Sequence, residues 1–138
     1  MDSLKILGIL ENSKGYDTAL MTTFNFEVAF FEKAILSRLV GNNIKKVSVF
    51  VDAKELAKAI ALSDYSALGK KYAVNPVTMH GSFHPKLILL LGEKKARLIL
   101  GSGNLKLSGY YFNNEVFNYV DYDAEHQEYR DIVFEAIV

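Results

Sequence analysis

Two periodicities divide this chain. Apolar and polar positions alternate in Lys46–Asp52 (KVSVFVD), and its β-branched residues predict a strand. From Glu27 to Val40, Phe30, Phe31, Ala34, Ile35 and Leu39 recur at helical spacing, which predicts an amphipathic helix. Asn25 reads as its N-cap, and Gly41-Asn42-Asn43 as its stop. Ala53 to Leu62, rich in Ala, Leu and Lys, predicts a second helix. Leu4 to Leu10 (LKILGIL) is a short apolar run read as a strand, and Asn12 to Gly15 as a turn. Thr18 to Phe24 and Val116 to Asp121 read as further strands. Tyr72 to Met79 is a weaker one, because Pro76 confines it to a sheet edge or a bulge. Ala124 to Val138 carries a helical stripe that includes Tyr129, Val133, Phe134 and Ile137.

Leu87–Leu91 and Ala96–Leu100 read as two buried strands joined by the short Gly92-Glu93-Lys94-Lys95, a hairpin, and the unbroken apolar Leu87–Leu91 needs cover on both faces. Together these segments predict an α/β fold: about seven strands in a mixed sheet, about three helices, and two β-α-β passages.

The polar residues flanking this hairpin carry the candidate chemistry. His84 and Lys86 precede the first run; Ser102 and Asn104 follow the second. Alternate residues of a strand share a face, so each is a same-side pair. A three-residue loop, Glu93-Lys94-Lys95, closed by Gly92 and Ala96, would set His84 against Asn104 and Lys86 against Ser102. A two-residue turn would send the two pairs to opposite faces. Only the first register gathers the polar residues, and it is the one expected. An imidazole serves as nucleophile or general acid–base near neutral pH, and an ammonium and a carboxamide beside it stabilise charge building on phosphoryl oxygens.

H-x-K (His84, Lys86), then G-S-G-N-L from Gly101, then Glu115 eleven residues after Asn104, resembles the phospholipase D superfamily signature. The superfamily includes lipid phosphodiesterases, metal-independent nucleases, restriction endonucleases and tyrosyl-DNA phosphodiesterases. The resemblance covers about a quarter of the chain. It implies His84, Lys86, Asn104 and Glu115 as catalytic residues, with Lys86, Ser102 and Asn104 holding the phosphate. Glu115 would accept the second N–H of the histidine. The family's usual H-x-K-x-x-x-x-D has an aspartate where this chain has Leu91; the tyrosyl-DNA phosphodiesterase branch also lacks it. The family assembles one site from two such motifs, and this chain contains one. The resemblance therefore implies a homodimer or a second half.

Composition narrows the field. The 138 residues suit one domain, and half are apolar, which excludes a disordered chain. Net charge is zero, so no global field attracts a polyanion. The clustering of Lys94, Lys95, Arg97 and Lys106 reads first as solvated charge, then as a local steering patch. The absence of cysteine excludes disulfides and thiolate metal sites and fits a cytoplasmic protein. No run reaches the ~20 apolar residues of a membrane span, and no cofactor or metal is expected. His80 and His126 read as surface or packing residues, and Tyr110, Tyr111 and Phe112 as core or rim. The final helix has no stop signal, which suggests an N-terminal piece of a longer chain. The function expected is a metal-independent phosphodiesterase acting on nucleic acid through a phosphohistidine. The alternative is a catalytically inactive phosphate- or nucleic-acid-binding or dimerisation module. A phospholipid hydrolase ranks behind both, because no membrane-binding face is evident.

Overall fold

The computed structural model describes residues 2–61, 71–81, 86–101 and 117–123. Their strands form one sheet: β1 (Thr18–Thr23), β2 (Lys46–Asp52), β3 (Ala73–Val77), β4 (Leu87–Leu91), β5 (Lys95–Gly101) and β6 (Phe117–Asp123), in the order β3-β2-β1-β4-β5-β6. β1–β2 and β2–β3 pair in parallel; β1–β4, β4–β5 and β5–β6 pair antiparallel. The mixed sheet flanked by helices and both β-α-β passages are as expected, and Pro76 does lie on an edge strand.

Helix α1 is Asp2–Glu11. Helix α2 runs without a break through Val28–Phe30, a π-helical Phe31–Leu36 and Ser37–Gly41. Helix α3 is Ala53–Ala61. Both crossovers step the same way along the sheet, so the right-handed rule puts α2 and α3 on one face. In that face's core, Phe31, Ile35, Leu39 and Leu56 pack with Ala19, Met21, Val49, Val51, Ile88, Leu90 and Ile99. A smaller cluster of Leu89 and Leu98, flanked by Leu20, Leu87 and Leu91, occupies the other face. Ile88, Leu89 and Leu90 are all buried, the two-sided burial that an unbroken apolar strand requires.

Three expectations are corrected. Leu4–Leu10 lies in helix α1, which removes one strand from the seven expected. Ile6, Leu7 and Leu10 bury one helical stripe, and the helix ends on side-chain partners. The Ser13 hydroxyl donates to the Ile9 carbonyl at 2.6 Å, and Asn42 Nδ2 donates to the carbonyls of Leu10 (2.8 Å) and Glu11 (2.9 Å). These bonds satisfy orphan carbonyls of the last turn. Second, the N-cap of α2 is Glu27, which makes no side-chain capping bond, rather than Asn25.

Third, the hairpin register differs by one residue. Leu91 pairs with Ala96 and Leu87 with Leu100, and the Gly92 N–H donates to the Lys95 carbonyl at 2.8 Å. The turn is the two-residue Glu93-Lys94. Lys95 belongs to β5 because its ammonium has partners outside the hairpin: the Lys14 carbonyl at 2.5 Å and the Tyr16 ring at 4.4 Å. A side chain at Gly92 would not fit, since a Cβ there would lie 2.6 Å from the Gly15 carbonyl oxygen. The expected final helix, Ala124 to Val138, lies outside the described residues.

Candidate active site

The parallel strands β1, β2 and β3 end on the edge of the sheet where β4 begins and β5 ends. Register shows this directly: Thr22 pairs with Leu87, Leu87 with Leu100, and Asp52 with Val77. The chain reverses its direction of build at β1, with β2 on one side and β4 on the other. Open α/β sheets bind ligands at such a switch point, outside the carboxyl ends of the strands. Lys86 is the residue immediately before β4, so the structure brings it to this position. Strand alternation puts it on the helix-covered side, in line with Ile88 and Leu90.

Lys86 stands opposite Gly101, whose N–H donates to the Lys86 carbonyl at 3.4 Å. It does not pair with Ser102, as the expected register required. That register can no longer be used to gather His84, Lys86, Ser102 and Asn104 on one face. His84, Ser102, Asn104 and Glu115 lie outside the described residues. Leu91, standing where the family has aspartate, is at the far end of β4 and packs against the Leu89–Leu98 cluster. It fills an apolar role about five residues, roughly 16 Å of strand, from Lys86.

Other groups at this edge were not singled out from sequence. The Thr22 Oγ1 accepts the Leu87 N–H at 3.0 Å, and the Thr23 hydroxyl donates to the Asn25 carbonyl at 2.6 Å. Asp52 is buried, and its Oδ1 accepts the N–H groups of Lys54 (3.0 Å) and Glu55 (3.2 Å). It caps α3 and favours the positive end of the helix dipole. The sequence signal for these positions was the polar residue closing each parallel strand, Thr23 and Asp52.

At the opposite end of the sheet, a concavity of about 590 Å³ is lined by Tyr16, Lys95, Arg97, Tyr119 and Asp121 among others. Its Arg97 and Asp121 charges are matched to each other. Arg97 Nε and Nη2 donate to the two Asp121 oxygens at 2.6 and 2.8 Å, Nη1 donates to Ser13 Oγ at 3.1 Å, and the guanidinium stacks 4.7 Å from the Tyr119 centroid. The Asp121 hydrogen bonds hold the guanidinium above its ordinary pKa despite partial burial. Burial pushes the Tyr16 phenol up, against the nearby Arg97 charge. Arg97 is therefore not part of a free basic patch. Lys106, Tyr110, Tyr111, Phe112 and His126 lie outside the described residues, and His80 is exposed.

Among the described residues no group of three or more His, Cys, Asp or Glu side chains is placed to hold a metal, and no helix is long and apolar enough to cross a membrane.

No family sequence model matches the chain, and no curated protein matches it. Solved structures do. Nuc from Salmonella typhimurium, a phospholipase D family member, superposes with a TM-score of 0.63 at 16% identity, covering 96% of this chain and 84% of that one. NucT from Helicobacter pylori gives 0.59 at 18% identity, covering 98% and 86%. Yeast tyrosyl-DNA phosphodiesterase gives 0.51 at 18% identity; the match covers 72% of this chain but only 23% of that longer one. By these likenesses the chain has the fold of the phospholipase D family structures that it matches.

Proposed function

We propose that this chain is a phospholipase D-type phosphodiesterase acting on nucleic acid, without a metal, through a phosphohistidine. The observation that carries the reading is Lys86. This lysine of H-x-K sits at the carboxyl-end edge of the parallel strands, where open α/β sheets bind ligands. The likeness to Nuc, NucT and tyrosyl-DNA phosphodiesterase supports phosphodiester chemistry at the level of the fold.

In the proposed reaction an imidazole nitrogen attacks phosphorus and the bond to the leaving oxygen breaks. A second imidazole, on the opposite side of the in-line displacement, gives that oxygen a proton. Water then attacks the phosphohistidine, loses its proton to the second imidazole, and releases the phosphate product and the first histidine. Lys86 and Asn104 hold the non-bridging oxygens as negative charge grows, with Ser102 beside them, and Glu115 orients the His84 ring. His84 supplies one imidazole. The other comes from a second copy of the chain across a two-fold axis, or from a second half of a longer protein.

The test uses the full chain with a chelator present, on bis(p-nitrophenyl) phosphate and on single-stranded and duplex oligonucleotides. Turnover expected in the chelator should fall by several orders of magnitude in His84→Ala, and mixing that variant with wild type should dilute activity by heterodimer formation. Turnover that depends on added magnesium, or that survives His84→Ala, contradicts the reading. Phosphate binding by a chain that turns over no diester would instead identify the inactive binding module.

A further inference from the structure

Tyr16 is 6% exposed and belongs to the main core, yet among the described residues its hydroxyl has no hydrogen-bond partner. Its ring faces the Lys95 ammonium at 4.4 Å, and it lines the concavity of about 590 Å³ at the end of the sheet away from Lys86. The charges of Arg97 and Asp121, both on that concavity, act on the phenol, so its oxygen lies towards the open space. A buried hydroxyl that the protein leaves unpaired takes its partner from whatever fills the space beside it. Burial keeps the phenol protonated near neutrality, so it has a hydrogen bond to donate.

The other walls narrow what that partner can be. Lys95 and Arg97 stand across the β5–β6 ladder from Asp123 and Asp121, so these side chains balance in charge. A phosphate entering here meets two carboxylates, and an organic cation meets two basic groups; an uncharged guest meets neither conflict. Tyr119 is 48% exposed, with the Arg97 guanidinium 4.7 Å from its centroid, which leaves a flat aromatic surface open for stacking. The Asp121 oxygens accept from Arg97 at 2.6 and 2.8 Å, and a carboxylate has about four acceptor sites, so it can take a donor from a guest as well. The volume is that of a small-molecule site. A flat, uncharged ring that carries both an acceptor and an N–H donor answers all of these features.

We propose that this concavity is a nucleobase site: the heterocycle stacks on Tyr119, accepts from the Tyr16 hydroxyl and donates to Asp121. The base can belong to a free nucleoside or to a nucleic-acid strand, since the recognising chemistry is the same. The site is separate from the reaction assigned to Lys86, whose level on the sheet is about four residues or roughly 13 Å of strand from Arg97.

The test titrates the common ribonucleosides into the full chain and follows side-chain and amide resonances by NMR. At least one nucleoside should bind, moving the signals of Tyr16, Tyr119 and Asp121 and leaving those of Lys86 in place. Tyr119→Ala should weaken its binding by at least about five-fold, the loss of a base stack, whereas Tyr119→Phe should stay within about three-fold of wild type. Tyr16→Phe, which keeps the ring and removes the hydroxyl, should weaken it by about two- to ten-fold. Tyr119 is half exposed, so its variants should fold, and circular dichroism checks this. Inorganic phosphate should not compete. No binding of any nucleoside at millimolar concentration, binding undiminished in both Tyr119→Ala and Tyr16→Phe, or displacement by phosphate overturns the proposal. An oligonucleotide that binds the same residues more tightly than the nucleoside, with an abasic counterpart that does not, supports the site with a strand as the source. A nucleoside that the oligonucleotide does not displace supports it with a free nucleoside as the source. Diester turnover by wild type is read separately, so failure of the nucleobase site leaves the phosphodiesterase reading intact.

Discussion

Lys86 and Arg97 are cations on the same face of neighbouring strands, and the sheet treats them in opposite ways. Arg97 pairs across the ladder with Leu90, about four residues or roughly 13 Å of strand from the level of Lys86. Its guanidinium is spent on Asp121, Ser13 and the Tyr119 ring, with its side chain 18% exposed. It joins the segment after α1 to β5 and β6. Lys86 sits at the end where strands finish and loops begin, opposite a glycine that places no side chain beside it. Two basic residues eleven positions apart thus divide: one ties the fold, the other stands at the edge where the proposed reaction would take place. Proximity in sequence is a poor guide to which is which.

The largest effect is expected at Lys86. Lys86→Ala should reduce diester turnover by about a hundred- to a thousand-fold, the cost of losing one group that stabilises developing oxyanion charge. Its unfolding free energy, from urea titration, should move by less than about 1 kcal/mol, as for other changes at a strand end. A large loss of stability with little loss of turnover would reverse the roles assigned to the two cations.

Arg97→Ala should behave the other way. The ion pair with Asp121 is bidentate, but Asp121 is half exposed, so the pair is screened. With the lost stacking on Tyr119, the expected destabilisation is about 1–2 kcal/mol, shrinking in high salt. Turnover per folded molecule should be unchanged. An activity loss beyond the folded fraction would show that the Arg97 end takes part in substrate binding.

The smallest effect concerns a polar tie in the parallel half, the Tyr72 hydroxyl donating to Glu32 at 2.7 Å. Burial, then the hydrogen bond and charge of Glu32, push the phenol well above its ordinary range. A folded-state pKa raised in this way gives stability that is complete below the unfolded phenol's pKa and is lost as pH climbs towards the folded value. Tyr72→Phe should cost about 1 kcal/mol near neutrality. It should also flatten the fall in stability between about pH 9 and 11, measured as the difference from wild type in denaturant titrations. An unchanged alkaline slope would mean that the phenol ionises as readily in the folded protein as in the unfolded chain.

Periodicity made most of this architecture legible. The Lys46–Asp52 strand matches its predicted bounds, and Phe30, Phe31, Ile35 and Leu39 are buried along α2. Alternation and helical spacing are local properties, set by backbone geometry and the need to bury one face, so they survive in the sequence. The H-x-K and G-S-G-N-L motifs flank the hairpin, and of their residues the described ones, Lys86 and Gly101, stand opposite each other.

What tertiary structure alone decided follows from bonds between residues far apart in the chain. LKILGIL is too short for its period to separate strand from helix. It is helical here with its last carbonyls held by Asn42, 31 and 32 residues away. The hairpin register turned on Lys95, recruited into β5 by a carbonyl 81 residues distant. The fate of Arg97 turned on Ser13, 84 residues away, and on the partner strand β6. A local pattern says which residues want burial; it holds no record of which distant donor or acceptor will meet them, and a one-residue shift in a hairpin costs little until such a partner chooses.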